Sequence, residues 1–94
     1  NDDDQVFIYP NPTAGSFTIQ LLGQAIVGSV TFEISNAIDQ LVYCAEEEIY
    51  GAGWKKEINL NNEPAGVYYL NLSKKRFDDD FYFPYARKRI MVMK

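Results

Sequence analysis

The sequence contains no histidine, and this absence removes much of the chemistry that proteins use for catalysis near neutral pH. Histidine is the usual general base and the commonest metal ligand, so Ser-His-Asp and Cys-His catalysis are excluded. The single cysteine, Cys44, makes neither an internal disulfide nor, without histidine, a tetrahedral zinc site. We therefore expect no enzyme, no cofactor and no metal, and we expect Cys44 to be a small buried strand residue.

Basic residues are missing from the first half of the chain. Residues 1–54 hold eight acids and no lysine or arginine, whereas residues 55–94 hold nine bases and five acids. The net charge is −4 and the pI is near 4.6. Nucleic-acid-binding domains are normally basic because they neutralise phosphates, so this balance argues against a nucleic-acid partner.

Long apolar runs are also absent. No stretch approaches the roughly 20 apolar residues that a membrane-spanning helix needs. The start, Asn-Asp-Asp-Asp, has neither an initiator methionine nor the basic and apolar regions of a signal peptide. A chain of 94 residues with 47% hydrophobic content is long enough for one folded domain. We expect that domain to be a piece of a longer protein.

The pattern that dominates the sequence is alternation of apolar and polar residues, interrupted by Gly, Pro, Asn or Asp. This pattern is typical of short antiparallel strands, and no segment has the period of a helix. The predicted strands are Gln5–Tyr9, Gly15–Leu22, Ser29–Asn36, Gln40–Glu48, Trp54–Leu60, Val67–Ser73 and Lys88–Met93. The sequence therefore predicts an all-β fold, an immunoglobulin-like antiparallel β-sandwich of about seven strands.

The alternation also predicts which side chains point inward. Apolar residues at every second position, such as Phe17, Ile19 and Leu21, are expected to enter the core, while Ser35 and its polar neighbours are expected to face water. Neighbouring residues cannot both point inward, so Tyr68 is expected to be buried and its hydroxyl to need a partner.

Two turns carry a distinctive composition. In the segment Tyr9-Pro10-Asn11-Pro12-Thr13-Ala14-Gly15, each proline offers no N–H, so strand pairing must stop there. Gly15 allows a positive φ as the chain enters the next strand. In Glu63-Pro64-Ala65-Gly66, proline at the second position and glycine at the fourth predict a type I turn that leads into Val67 and Tyr68.

Taken together, these features resemble the C-terminal sorting domain of the bacterial type IX secretion system. The resemblance spans residues 6–94 and rests on three features: the Tyr-Pro-Asn-Pro corner with Gly15, the Pro64-Ala65-Gly66-Val67-Tyr68 segment, and the basic-apolar strand ending in Lys94. The motif positions are Tyr9, Pro10, Asn11, Pro12, Gly15, Pro64, Gly66, Val67 and Tyr68.

The resemblance implies a function as an address. It implies that residues 1–5 are a linker from an upstream cargo protein and that residues 6–94 are the sorting domain. It also implies export to the periplasm, passage through an outer-membrane translocon, and cleavage by a surface sortase that leaves the cargo at the cell surface or secreted. The partners implied are therefore the translocon, the sortase and the covalently linked cargo.

The terminal strand is the candidate site for recognition by the translocon. If Ile90 and Val92 enter the core, then Arg89, Met91 and Met93 face outward, and exposed methionines form an adaptable apolar surface. The candidate recognition residues are Arg89, Ile90, Met91, Val92, Met93 and Lys94. A basic edge strand also prevents edge-to-edge aggregation, which is the structural alternative.

The sequence departs from the family pattern in two places. Ile38-Asp39-Gln40 replaces the usual Gly-Gln or Gly-Lys turn, and Asp39 tolerates left-handed geometry better than most residues. A long segment between the last two strands contains Phe77-Asp78-Asp79-Asp80-Phe81-Tyr82-Phe83-Pro84-Tyr85, which is predicted to be a loop.

This aromatic segment supports the alternative function, a cell-surface carbohydrate-binding or adhesion β-sandwich. Aromatic rings beside carboxylates can stack on sugars and bond their hydroxyls. Packing over a sheet edge or against the cargo domain is the other interpretation, because so many aromatic side chains are seldom left exposed. The triplets Asp2–Asp4 and Asp78–Asp80 lack the spacing of a calcium loop and are expected to be solvated.

Overall fold

The computed structural model describes residues 5–22, 28–51, 53–75 and 80–94. Residues 1–4 of the predicted linker at residues 1–5 lie outside this part of the chain, and so do Phe77, Asp78 and Asp79 of the predicted loop. The described residues form seven strands and no helix: β1 (Val6–Tyr9), β2 (Ser16–Leu21), β3 (Gly28–Asn36), β4 (Leu41–Ile49), β5 (Trp54–Asn59), β6 (Gly66–Lys75) and β7 (Phe83–Val92). They therefore contain no helix that is long and apolar enough to cross a bilayer.

The strands form two antiparallel sheets. The first sheet has the order β1-β2-β5 and the second has the order β4-β3-β6-β7. This arrangement confirms the predicted all-β, immunoglobulin-like sandwich. The strand order was not accessible from the sequence. Strand β3 pairs directly with β6, although β4 and β5 lie between them in the chain.

The core lies between the two sheets and follows the predicted alternation. Phe17, Ile19 and Leu21 of β2 are at most 2% exposed, and the inward positions of β3, β5, β6 and β7 are buried to a similar degree. The fully buried apolar side chains outside β2 include Val6, Val30, Phe32, Ile34, Ile49, Ile58, Leu70, Leu72, Ile90 and Val92. Burial of side chains of this size contributes about 2 kcal/mol each in transfer free energy.

Two further contacts connect the sheets, one at the margin of the core and one between charged side chains. The ring of Trp54 on β5 stacks on Phe32 of β3, with centroids 5.0 Å apart and planes inclined by 22°. Lys56 of β5 forms an ion pair with Glu47 of β4, and this contact raises the pKa of the lysine. These contacts align the β5 edge of one sheet with the β4 edge of the other.

The two ends of the sandwich, called poles below, contain different turns and chain ends. The N-terminal pole is the end where the chain enters β1, and Leu22, Trp54, Ile49 and Phe83 lie at or beside the strand ends there. The C-terminal pole is the opposite end. It carries the residue 10–15 corner, the turns at residues 37–40 and 60–65, and the C-terminal residue Lys94.

Some predictions about individual residues were wrong. Cys44 lies in β4 as expected but is exposed, because its position opposite Glu33 places it on the outer face of the sheet. Ser35 was expected to face water but is 8% exposed, because β3 is an inner strand and its neighbours β4 and β6 shield a small side chain. The hydrogen-bonded turn before β6 spans Leu60–Glu63, three residues earlier than the predicted turn at Glu63–Gly66.

The turn that departs from the family pattern keeps its shape with aspartate. Asp39 has a φ of 67°, the left-handed conformation that the sequence predicted for this position. The Asn36 side chain supports the turn, since its Oδ1 accepts hydrogen bonds from the N–H groups of Ile38 and Gln40, at 3.1 and 2.9 Å. The hydrogen bonds of the Asn36 side chain thus stabilise a turn in which aspartate, and not glycine, has the left-handed conformation.

Position 15 requires glycine, both for its backbone conformation and for the space around it. Its φ is +140°, and a Cβ added there would lie 2.0 Å from Asn61 Oδ1 and 3.3 Å from the Asn61 backbone. We expect Gly15→Ala to lower the free energy of unfolding by about 2 kcal/mol or more. Chemical denaturation of the purified domain measures this change.

Gly51→Ala is the matched control for this substitution. Gly51 has no atom within 4 Å of an added Cβ and no positive φ. We expect the free energy of unfolding to change by less than about 0.5 kcal/mol. Equal losses in the two variants would contradict the assignment of the Gly15 effect to local geometry.

Candidate functional site

The corner at residues 10–15 lies against the outer edge of β7, nearly 80 residues away in sequence. The peptide bonds before Pro10 and Pro12 are cis. Asn11 Nδ2 donates a hydrogen bond to Arg89 O at 2.9 Å, and Asn11 Oδ1 accepts one from Met91 N at 3.0 Å. The Asn11 side chain thus satisfies two backbone groups of β7, as a neighbouring strand would.

Thr13 continues this pairing with its backbone. Its N–H donates to Met91 O at 2.9 Å, and its carbonyl accepts from Met93 N at 2.8 Å, which forms a parallel bridge opposite Val92. The Thr13 hydroxyl also accepts from Gly15 N at 3.0 Å and donates to Ser16 O at 2.6 Å. Thr13, which is 3% exposed, therefore connects β7 of one sheet to the start of β2 in the other.

These bonds determine what the end of β7 can offer to a partner. The carbonyl of Arg89, both backbone groups of Met91 and the N–H of Met93 are already occupied by Asn11 and Thr13. A partner strand therefore cannot pair with this part of the edge while the corner is docked. Any recognition of the folded domain at this end of β7 must use its side chains.

The predicted recognition residues divide into two groups. Ile90 and Val92 are 0% and 1% exposed and belong to the core. Arg89 is exposed, Met91 is half-buried and Met93 is 62% exposed, so these three side chains lie on the outer surface.

The last residue is fixed to a neighbouring turn. Lys94 Nζ donates hydrogen bonds to Asn61 O, at 2.6 Å, and to Glu63 O. The ammonium group thereby links the C-terminal residue to the turn that precedes β6. Lys94 was predicted as a recognition residue at the end of a basic-apolar strand. In the structure its ammonium group has two backbone acceptors.

The second motif segment lies directly beside β7 at the same pole. Gly66 pairs with Val92 and Val67 with Met91, and Gly66 has a φ of +152°. Tyr68 points inward as predicted, is 3% exposed, and donates its hydroxyl to Pro64 O at 2.6 Å. Burial, and then the charge of Glu63, raise the pKa of the Tyr68 hydroxyl.

A shallow cleft opens beside this segment. It has a volume of about 230 Å³ and lies between the turn at residues 37–40 and the start of β6. Its lining is mostly apolar: Asn36, Ala37, Ile38, Pro64, Ala65, Gly66, Val67 and Tyr68. The motif positions of this segment thus form one wall of a surface feature as well as a turn.

The aromatic segment before β7 differs from the predicted loop. Strand β7 begins at Phe83 and β6 extends to Lys75, so the connection is shorter than expected. Tyr85 is 9% exposed, because an irregularity in the pairing of β6 with β7 turns its side chain toward the core. Tyr85 is therefore not part of an exposed aromatic platform.

Tyr82 crosses from the connection onto the outer face of the second sheet. Its hydroxyl donates to the carboxylate of Glu46 on β4, and this bond raises the pKa of Tyr82. The Lys75 ammonium lies 6.0 Å from the centre of the ring. Phe81 and Phe83 on either side are 68% and 55% exposed.

The acidic side chains of the described part of the chain do not form a metal-binding group. Residues 5–22, 28–51, 53–75 and 80–94 contain no group of three or more His, Cys, Asp or Glu side chains placed to hold a metal ion. Asp80, the member of the second acidic triplet that is described, is exposed.

The roles of Asn11 and Thr13 at the β7 edge were not predicted from the sequence. Asn11 was identified as a motif position and Thr13 was not. The available signal was the pair of prolines, which indicated where pairing stops but not which strand the corner then meets.

Removing the Asn11 side chain should loosen the terminal strand. We expect Asn11→Ala to lower the free energy of unfolding by about 1 to 2 kcal/mol, because the Met91 N–H and the Arg89 carbonyl lose their partner. We also expect faster hydrogen exchange at the Met91 amide. Asn62→Ala, at an exposed position in the turn before β6, is the control and should change neither quantity. An unchanged exchange rate at Met91 in Asn11→Ala would contradict the role of this side chain.

The buried hydroxyl of Tyr68 predicts a loss of stability at alkaline pH. Its pKa is raised in the folded state, so its contribution to stability is complete below about pH 10 and declines as the pH rises above that value. We expect Tyr68→Phe to lose about 1 kcal/mol at neutral pH and to show a smaller alkaline decline than the parent. Tyr69→Phe, on the outer face, should leave the alkaline decline unchanged. Denaturation at a series of pH values measures both effects, and identical alkaline profiles for Tyr68→Phe and the parent would contradict the assignment.

No curated protein matches the chain. Residues 7–78 match the family model of the secretion system C-terminal sorting domain. The match includes both motif segments, the corner and the residues from Pro64 to Tyr68, and ends before β7. Because it covers most of the sequence, the chain belongs to the family of secretion system C-terminal sorting domains, which serve type IX secretion.

Proposed function

We propose that this domain carries an attached cargo protein from the periplasm through the outer membrane, and that a surface sortase then cleaves it from the cargo. The observation that carries the proposal is the family match together with the meeting of both motif segments at one pole, beside the C-terminal strand. The partners are the translocon, the sortase and the cargo. The domain itself performs no catalysis, in keeping with a family that is not catalytic.

The translocon contacts the domain at its C-terminal pole. The outward-facing side chains of the terminal strand there are Arg89 and Met93, which are exposed, with Met91 half-buried between them. The backbone edge beside them is occupied by Asn11 and Thr13, so recognition depends on these side chains and on the adjacent cleft. Methionine suits such a surface because its unbranched side chain adapts to different partners.

The sortase acts at the opposite pole. The chain enters β1 at the N-terminal pole, and strand β3, with nine residues, spans about 30 Å between the poles. A cut before Val6 therefore lies far from the surface that the translocon contacts. The cargo can be released or transferred to a surface anchor while the domain is still held.

The motif residues support this function mainly through the fold. Gly15 and Gly66 have positive φ angles, and Tyr68 is buried. The Pro64 carbonyl accepts the hydrogen bond of the Tyr68 hydroxyl. They position the recognition surface without being available as contacts themselves. Tyr9, Pro10, Asn11 and Pro12 are exposed motif positions of the corner, and the amide group of Asn11 is occupied by its bonds to β7.

A reporter fusion tests the address function. Residues 1–94 are joined to a periplasm-targeted fluorescent reporter and expressed in a bacterium with a type IX system and in a strain that lacks the translocon. We expect the reporter outside wild-type cells, shortened by about the mass of the domain, and full-length inside the mutant strain. Retention in both strains, while a known sorting domain is exported in the same fusion, would contradict the proposal.

Two substitutions in the same fusion test the surface. We expect Arg89→Glu with Met93→Asp to reduce export about tenfold or more, because exposed contacts are lost while the core stays intact. The matched control is Lys55→Glu with Leu22→Asp, which makes the same two types of charge change at exposed positions near the other pole. Deletion of residues 91–94 is a poorer test, since it also removes the buried Val92.

The alternative function, carbohydrate binding or adhesion, has one observation in its favour. Phe81, Tyr82 and Phe83 are 68%, 40% and 55% exposed. A glycan-binding assay with Tyr82→Ala separates the two functions, since sorting predicts normal export by this variant. Glycan binding that Tyr82→Ala abolishes, with no export of the reporter, would favour adhesion.

A further inference from the structure

The N-terminal pole exposes large side chains that the sorting function does not use. Tyr50 is 74% exposed, Phe81 is 68% exposed and Phe83 is 55% exposed. Leu22, at 44%, lies at the same pole, after the last residue of β2 in the first sheet. Four of the six exposed aromatic side chains of the described residues lie at this pole, the fourth being Tyr82.

Isolated exposed apolar residues are ordinary, but a group of this kind marks a contact surface. Phenylalanine has no polar atom, so Phe81 and Phe83 gain nothing from water. The pole also has polar groups at its rim, where the Tyr50 hydroxyl bonds Glu48 and the Tyr82 hydroxyl bonds Glu46. Aromatic residues with a polar rim are the composition of protein–protein interfaces.

The path of the chain indicates which partner lies against this surface. The polypeptide enters the sandwich at Gln5, whose carbonyl accepts a hydrogen bond from Leu22 N at 2.9 Å. The segment that precedes the domain is therefore tethered at the same pole as the exposed aromatic group. A short tether gives an effective concentration on the order of millimolar, so even a small interface is occupied.

We propose that the exposed aromatic surface at the N-terminal pole, formed by Leu22, Tyr50, Phe81, Tyr82 and Phe83, is the docking site for the last folded domain of the cargo protein. This inference rests on the proposed function only in requiring a cargo upstream. The cargo contributes a largely apolar patch at the point where its chain leaves it. Before cleavage the two domains pack as one body, and cleavage of the linker abolishes the high effective concentration and frees the surface.

Docking shields one side of the linker from solvent and leaves the C-terminal pole accessible to the translocon. The cargo and the translocon thus bind opposite ends of the sandwich, about 30 Å apart along β3. A cargo of any size is then carried without covering Arg89 or Met93.

Hydroxyl-radical footprinting of the intact precursor, cargo and sorting domain together, tests the proposal. Tyr82 and Tyr9 form a matched pair, because both are tyrosines and they are 40% and 41% exposed in the domain. If the pole were free, Tyr82 and Tyr9 would oxidise at similar rates and Tyr50 would oxidise faster than either. We expect Tyr50 and Tyr82 to oxidise about threefold or more slowly than Tyr9, since the centre of an interface excludes solvent.

A variant of the precursor provides a second measurement. We expect Phe81→Ser with Phe83→Ser to restore the oxidation of Tyr50, whereas Ile38→Ser, at a 74% exposed position of the other pole, leaves it protected. Oxidation of Tyr50 and Tyr82 at the rates of free side chains in the unaltered precursor would overturn the proposal. Protection that disappears on dilution would also overturn it, because it would assign the surface to a second copy of the chain.

The reporter fusion keeps this test separate from the address function. Its reporter is foreign and offers no cargo surface, so export of the fusion does not depend on docking. Export of the reporter without protection in the precursor refutes docking alone. Protection in the precursor without export refutes the address function alone.

Discussion

Four hydrogen bonds between the residue 10–15 corner and the outer edge of β7 hold the two ends of the chain together. Two use the side chain of Asn11 and two use the backbone of Thr13. The corner belongs to the first sheet through β2, and β7 belongs to the second, so these bonds also close one side of the sandwich. They occupy an edge that would otherwise be open to pairing with other chains. The position of Arg89, Met91 and Met93 at the surface depends on this closure.

The rest of the C-terminal pole is built around the same strand. Val67 and Gly66 pair with its other side, and Lys94 bonds the turn that leads into β6. Three segments that are far apart in sequence thereby become one surface. If the translocon binds this surface, as we propose, then the sorting signal is a folded arrangement of side chains, and loss of the fold removes it.

The separation of the two poles follows from the directions of the first and last strands. β1 begins at one end and β7 finishes at the other, so the start of β1 and the C-terminal residue are separated by the length of the sandwich. The same geometry places the connection between β6 and β7 at the N-terminal pole. Its aromatic residues therefore lie far from the motif residues, and the two surfaces can serve different partners.

The sequence by itself determined the fold class, the strands and most of the core, because an alternation with period two leaves only one face of each strand able to enter an apolar interior. It also determined the left-handed turn at Asp39 and the inward direction of Tyr68. The tertiary structure alone decided that the corner meets β7, that Tyr85 enters the core and that Cys44 is exposed. These depend on strand order, on an irregular register and on which face of a sheet is covered. Such features are set by contacts between residues distant in sequence, and no local pattern records them.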